Sequence, residues 1–228
     1  MGHAHSGRSR NVVYTAVIAA GVLGYWLAST RAHADPAAIK NRADPIVRIE
    51  IKAASGESGH CSGAVVHTRL GDKIVTAGHC SKIAQGGSAT AVDSFGRTYL
   101  LDTIYLDDVH DVAIMSAAGN KPPSTSLYPA CTAVVSVGDD VSLTGFPLDF
   151  GRATVTGKIA ADPSPFAVRD ANWALVYRVA IFAGPGDSGA PVTNASGDDI
   201  GILVGGNPDW PGMSMVVPIT ALCSPRIV

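Results

Sequence analysis

From residue 46 to residue 52 the chain sets Ile46, Ile49 and Ile51 against Arg48, Glu50 and Lys52. That two-residue period is the pattern of a strand with one buried face. Five more short apolar runs follow at 63–67, 73–77, 88–92, 97–106 and 112–116, each bounded by Gly, Asp or Ser. The sequence Gly-Asn-Lys-Pro-Pro-Ser at 119–124 then interrupts the series. Adjacent prolines favour an extended linker and cannot continue a ladder. A second set of six runs occupies 140–144, 152–160, 175–182, 190–193, 200–205 and 213–217, and residues 219–223 leave room for one helical turn. No long segment beyond the amino-terminal leader sustains a 3.6-residue period, which predicts an all-β chain. Six strands on each side of a linker predict two packed six-stranded antiparallel barrels, closed so that no edge is exposed, with at most a short C-terminal helix. The expected boundaries are 35–120 for the first barrel and 121–228 for the linker and second barrel.

The leader changes the compartment. Arg8 and Arg10 precede an uncharged run at 11–30, and Ala32-His33-Ala34 supplies a small-x-small cleavage pattern. Residues 1–34 therefore read as a secretory signal peptide cut between Ala34 and Asp35. The alternative is a retained anchor, because a run of this length can span a bilayer. The interruptions at Thr15, Gly21 and Gly24 favour cleavage. Either way the remainder is expected outside the cytoplasm, secreted or in the cell envelope, touching a membrane only transiently unless the anchor stays. Loss of the leader's three arginines takes the formal charge from −2 to −5. A mildly acidic chain without a basic run offers nucleic acid no footprint. Four cysteines in an exported chain point to two disulfides, with three connectivities open. No metal-ligand spacing and no phosphate-cradling loop is present, so neither metal nor cofactor is expected.

The chemistry centres on Gly184-Pro185-Gly186-Asp187-Ser188-Gly189-Ala190-Pro191. Glycines on both sides of Asp-Ser allow a tight turn that exposes the Ser188 hydroxyl. Upstream lie Thr76-Ala77-Gly78-His79-Cys80 and His110-Asp111-Val112-Ala113-Ile114. The order His, Asp, Ser is one of the chain orders of a Ser-His-Asp triad. A serine hydroxyl needs an adjacent base near neutral pH, histidine has the matching basicity, and a carboxylate orients the ring. His60, His67 and His110 are competing bases and Asp107 and Asp108 competing acids; without the same flanks they read as surface residues. Asn194-Ala195-Ser196 fits a glycosylation acceptor, but a polar hairpin turn at 194–199 is the favoured reading.

In these three segments the sequence resembles the chymotrypsin-like serine proteases, nearer the compact bacterial exported members, over about residues 46–218. The resemblance implies an exported serine endopeptidase acting on polypeptides as a monomer. His79, Asp111 and Ser188 would be its triad, and the backbone N–H groups of Gly186 and Ser188 its oxyanion donors. It implies a Cys61–Cys80 disulfide, with Cys131 and Cys223 as the second pair. Val204, Gly205 and Gly206 would lie along the substrate, Gly212 on another pocket wall. Phe182 stands where a trypsin-like enzyme carries an acid, which predicts a small or apolar residue before the scissile bond; Phe182 as plain core is the other reading. Val204 replaces the serine whose hydroxyl usually supports the triad acid. Residues 46–47 lie too close to Cys61 to be a cleaved activating terminus, so Asp187 needs another cation, for which Arg152 is the candidate. These departures keep open an alternative, a protease-like binding scaffold with a blocked site.

Overall fold

A computed structural model describes residues 44–119, 125–148, 150–168 and 171–223. The leader, the lead-in to residue 43 and most of the proline linker lie outside the described residues. The first barrel comprises β1 (Ile46–Lys52), β2 (Ser58–Thr68), β3 (Gly71–Ala77), β4 (Ser88–Val92), β5 (Thr98–Asp107) and β6 (Val112–Ala117). The second comprises β7 (Asp140–Gly145), β8 (Ala153–Val168), β9 (Ala171–Ala180), β10 (Pro191–Asn194), β11 (Asp199–Gly206) and β12 (Met213–Pro218). Each sheet closes on itself, in the orders β1-β2-β3-β6-β5-β4 and β10-β11-β12-β9-β8-β7. Every neighbouring pair in the two barrels is antiparallel. All twelve expected strands are present.

The cause is the alternation already visible in the sequence. On β1, Ile49 and Ile51 are buried while Glu50 and Lys52 are exposed. Their inward side chains meet Val65, Ile74 and Ile114 from β2, β3 and β6 in one cluster. Burying an aliphatic side chain of this size contributes about 1.5–3 kcal/mol, so the cluster dominates the barrel's stability. It continues into the second barrel through Val176, Ile202, Val204 and Met215. A separate cluster, including Leu143, Ile159, Val179 and Leu203, fills that barrel's interior.

Among the described residues two helical pieces complete the fold. A 3₁₀ turn, Ile219–Leu222, stands where one helical turn was expected. Helix α1, Gly78–Ile83, was not expected. Both disulfides pair as the resemblance implied, Cys61 with Cys80 and Cys131 with Cys223. The first closes a loop 19 residues apart in sequence and ties α1 to β2. On the chain-entropy model such a loop is worth about 3 kcal/mol. Asn194 lies at the β10–β11 turn, where its Oδ1 accepts the N–H groups of Ser196 and Asp198, as the hairpin reading anticipated.

Candidate active site

His79 follows strand β3 across Gly78, and Asp111 directly precedes β6. Ala77 pairs with Val112, so the residues that follow β3 face those that precede β6. The Gly78 N–H donates to the Asp111 carbonyl at 2.7 Å. One residue on, the His79 backbone N–H donates to Asp111 Oδ1 at 2.6 Å, and His79 Nδ1 bonds Asp111 Oδ2 at 2.8 Å. A carboxylate only accepts, so Nδ1 carries the proton and Nε2 of the neutral ring is left as the acceptor. Asp111 holds a left-handed backbone, φ 57°, which non-glycine residues rarely adopt. Gly78 explains how it fits: a Cβ there would sit 3.0 Å from the Asp111 carbonyl carbon, Asp111 Oδ1 and Val112 N. Gly78→Ala is therefore expected to push the carboxylate off the imidazole and lower kcat about 100-fold, since displacements near 1 Å have that effect. Steady-state kinetics on a peptide ester checks it, and a variant within twofold of the native rate refutes it.

Ser188 lies on the turn that feeds β10. Gly186 and Gly189 take φ values of 98° and 86°, positions where a side chain would strain the turn. The turn is held by Asp187 N–H to Gly184 O at 3.0 Å and Ala190 N–H to Asp187 O at 2.8 Å. Leu148 N–H donates to Pro185 O at 2.6 Å. In a planar trans peptide the carbonyl and N–H point opposite ways, so the Gly186 N–H is turned away from Leu148. Among the described residues neither the Gly186 nor the Ser188 N–H has an intramolecular acceptor. Both residues are only partly buried, so these two N–H groups on one turn are free to meet water or a ligand oxygen.

The turn is seated on the first barrel. Ser188 O accepts the Ser62 N–H at 2.8 Å and lies 3.9 Å from the sulfur of Cys80, the residue beside His79. A Cβ on Gly189 would meet Thr76 Oγ1 at 2.1 Å and Ser62 O at 2.2 Å, so only glycine permits this approach. Among the described residues no hydrogen bond joins Ser188 Oγ to the His79 ring; such bonds commonly tighten only around substrate. Ser62, fully buried, is a residue the sequence did not single out. Its hydroxyl donates to Gly186 O at 2.8 Å and accepts Phe146 N–H at 2.9 Å. Ser62→Ala is expected to lower kcat/KM about tenfold and to cost about 1–3 kcal/mol through the two orphaned groups. Paired kinetics and thermal melts check this; a variant unchanged in both contradicts it.

Several expectations about charged neighbours need correcting. Arg152 does not reach Asp187; its Nε pairs with Asp44. Burial pushes the Asp187 carboxyl up, opposed by the Gly184 N–H and by the charge of His60. His60, expected on the surface, is partly buried. Its Nε2 bonds Phe146 O at 3.0 Å, and a Cβ on Gly186 would lie 2.3 Å from that nitrogen. His67, paired with Asp72 and more than half exposed, is on the surface as expected. His110 is bound to Asp107 at 2.8 Å and Lys82 to Asp108 at 2.9 Å, so both competing acids are already engaged. Burial of Asp107 is outweighed by its His110 and Val109 hydrogen bonds, which hold the carboxyl low. The sulfurs of Cys61 and Cys80 lie with the His79 ring within 4.8 Å, but the disulfide leaves no thiolate to bind a metal.

Beside Ser188 opens a cleft of about 510 Å³. Gly205, Gly206 and Gly212 line it, together with Phe182, Met213 and Ser214. Among the described residues no charged side chain lines it. Phe182 is 68% exposed on its wall, which excludes the plain-core reading. The side chain of Val204, a residue expected to lie along the substrate through its strand's backbone, is 3% exposed and packs in the core. The register of β11 on β12 shifts between Leu203 and Gly205, a bulge at Val204.

Two closed six-stranded barrels, with a His–Asp pair on one and a Gly-Asp-Ser-Gly turn on the other, define a chymotrypsin-like serine protease. A family model described as trypsin-like peptidase domain matches residues 61–202, and the chain belongs to that family. Among solved structures, the chain is similar to the Rv3671c protease from M. tuberculosis in its active form, at 21% identity and a TM-score of 0.65, covering 81% of this chain and 82% of that one. It is also similar to a serine endoprotease from Yersinia pestis, at 22% identity and a TM-score of 0.62, covering 80% and 61%. The HtrA-type protease AlgW, solved with a tripeptide, matches at 18% identity and a TM-score of 0.64, covering 79% and 58%. The chain thus spans about three fifths of the latter two proteins, and at these identities the likeness is one of fold. The comparison with curated protein sequences returned no match.

Proposed function

We propose that this serine protease is an exported endopeptidase using Ser188 as nucleophile, His79 as general base and acid, and Asp111 to orient the ring. Ser188 Oγ adds to the peptide carbonyl while its proton passes to His79 Nε2. The Gly186 and Ser188 N–H groups receive the negative oxygen of the tetrahedral intermediate. Its collapse breaks the C–N bond as His79 protonates the leaving amine. Water, activated by the same ring, then releases the acyl group and restores Ser188. The carrying observation is the 2.8 Å contact between His79 Nδ1 and Asp111 Oδ2: a carboxylate holds Nδ1–H, which leaves Nε2 as the free basic nitrogen.

The uncharged cleft beneath Phe182 favours a small or apolar residue before the scissile bond. An open cleft also argues against a blocked scaffold. Export is supported by the leader and by two disulfides, which persist in oxidising compartments. A peptide-library cleavage profile with the mature form tests the specificity. Enrichment of Ala, Val, Leu or Met before the cut is expected, and enrichment of Lys, Arg, Asp or Glu would refute it.

A further inference from the structure

We propose that Trp173 is a positioning residue for the reaction, its indole N–H holding the Asp111 carboxylate from the second barrel; this rests on the triad reading above. Three donors converge on that carboxylate. Oδ1 accepts the His79 backbone N–H, while Oδ2 accepts both the His79 ring and Trp173 Nε1, the latter at 3.3 Å. An indole nitrogen can only donate, so this bond has one sense and favours the anion. Trp173 is 5% exposed, and a buried indole N–H needs an acceptor. Asp111 Oδ2 is the one it has.

The ring is built into place rather than leaning there. Trp173 pairs with Phe166 across β8 and β9, and the two rings stack at 6.4 Å with 12° between planes. Residue 205 must also be small: a Cβ there would lie 3.2 and 3.3 Å from two carbons of the indole. Gly205 thus makes room for the tryptophan as well as lining the cleft. The next residue, Ala174, donates its N–H to Val109 O at 3.3 Å, fastening the hairpin to the loop that carries Asp111. Val204, where the resemblance places a supporting hydroxyl, is buried and its side chain carries no donor. The support therefore comes from a different strand. It also makes the acid of the first barrel depend on the docking of a hairpin from the second.

The test replaces Trp173 by Phe, which keeps an apolar ring and removes the N–H, and measures kcat, KM and the pH profile of kcat/KM on a peptide substrate. A hydrogen bond to a charged group accounts for about a 10- to 100-fold change. Expected are a kcat lower by that factor, a KM within twofold, and an acid limb displaced upward by about half a pH unit as the carboxylate loses a donor. In the Asp111→Asn background the same change should have no further effect on kcat. Native kcat and an unmoved pH profile in a folded Trp173→Phe variant would overturn the proposal. Should that variant fold poorly, benzothienylalanine at position 173, with sulfur in place of N–H and the same shape, gives the same two alternatives. Full activity in Ser188→Ala would instead overturn the underlying triad, independently of Trp173.

Discussion

Ser188→Ala is expected to abolish peptide hydrolysis, lowering kcat about 10⁶-fold while leaving the fold intact. The size follows from the mechanism: no other hydroxyl occupies the turn, and the acyl-enzyme cannot form without Ser188 Oγ. The intact fold follows from the structure, since among the described residues that oxygen holds no hydrogen bond, whereas the Ser188 backbone carbonyl does. His79→Ala should cost about as much, and the double variant hardly more, because nucleophile and base act as one unit. Asp111→Asn should cost about 10⁴-fold by presenting the wrong tautomer of the ring. Single-turnover kinetics with melting curves would read all four. Residual activity above about 1% in Ser188→Ala would place the nucleophile elsewhere.

The second large effect concerns stability. Asp199 opens β11 with no solvent exposure. Its backbone is tied to the segment after the linker, through Asp199 N–H to Tyr128 O and Ala130 N–H to Asp199 O. Its Oδ1 accepts the Gly201 N–H at 3.2 Å, and Oδ2 meets no donor among the described residues. Burial raises the carboxyl to about 8, against a weaker opposing pull from Gly201. The native state therefore keeps a proton that the unfolded chain releases near pH 4. Below pH 4 both states are protonated and the contribution to stability is whole. As pH rises from about 4 to about 8 it is lost, by an amount on the order of 5 kcal/mol at the alkaline end. Asp199→Asn cannot ionise and should flatten that slope. It should melt higher than the native protein at pH 8 and close to it at pH 4. Parallel melting profiles for the two proteins across this range would refute the assignment.

Much of the fold could be read from local pattern. Ile46–Lys52 and Ser88–Val92 have the bounds the alternation predicts, because each strand turns one apolar face to a barrel interior. Strand β8 was expected to stop at residue 160, yet it continues to Val168. Pro163 and Pro165 cannot donate to a ladder, and the chain accommodates them through register shifts against β9 between Ile159 and Phe166. That unanticipated extension is the part of the hairpin that carries Trp173. Helix α1 is too short to show a helical period, so the pattern around His79 could not announce it.

The site divides the same way. His79, Asp111 and Ser188 stand in compact motifs and were visible as candidates. Ser62 and Trp173 carry no such flanks, and their partners lie 124 and 62 residues away. Nothing local distinguishes them from ordinary core and strand residues. Asp187 shows the limit most plainly. Its need for a counterpart could be argued from charge alone, but which side chain lies nearby is set by barrel packing, which put His60 against the turn and sent Arg152 to Asp44.

The most direct measurement is the rate at which a fluorophosphonate labels the mature protein, followed by mass spectrometry of the modified residue. Modification of Ser188 alone, absent in Ser188→Ala and slowed at least about 10³-fold in His79→Ala, is the expected result. Labelling that proceeds equally fast without the imidazole, or fails altogether in the folded native protein, would mean that His79 does not activate Ser188.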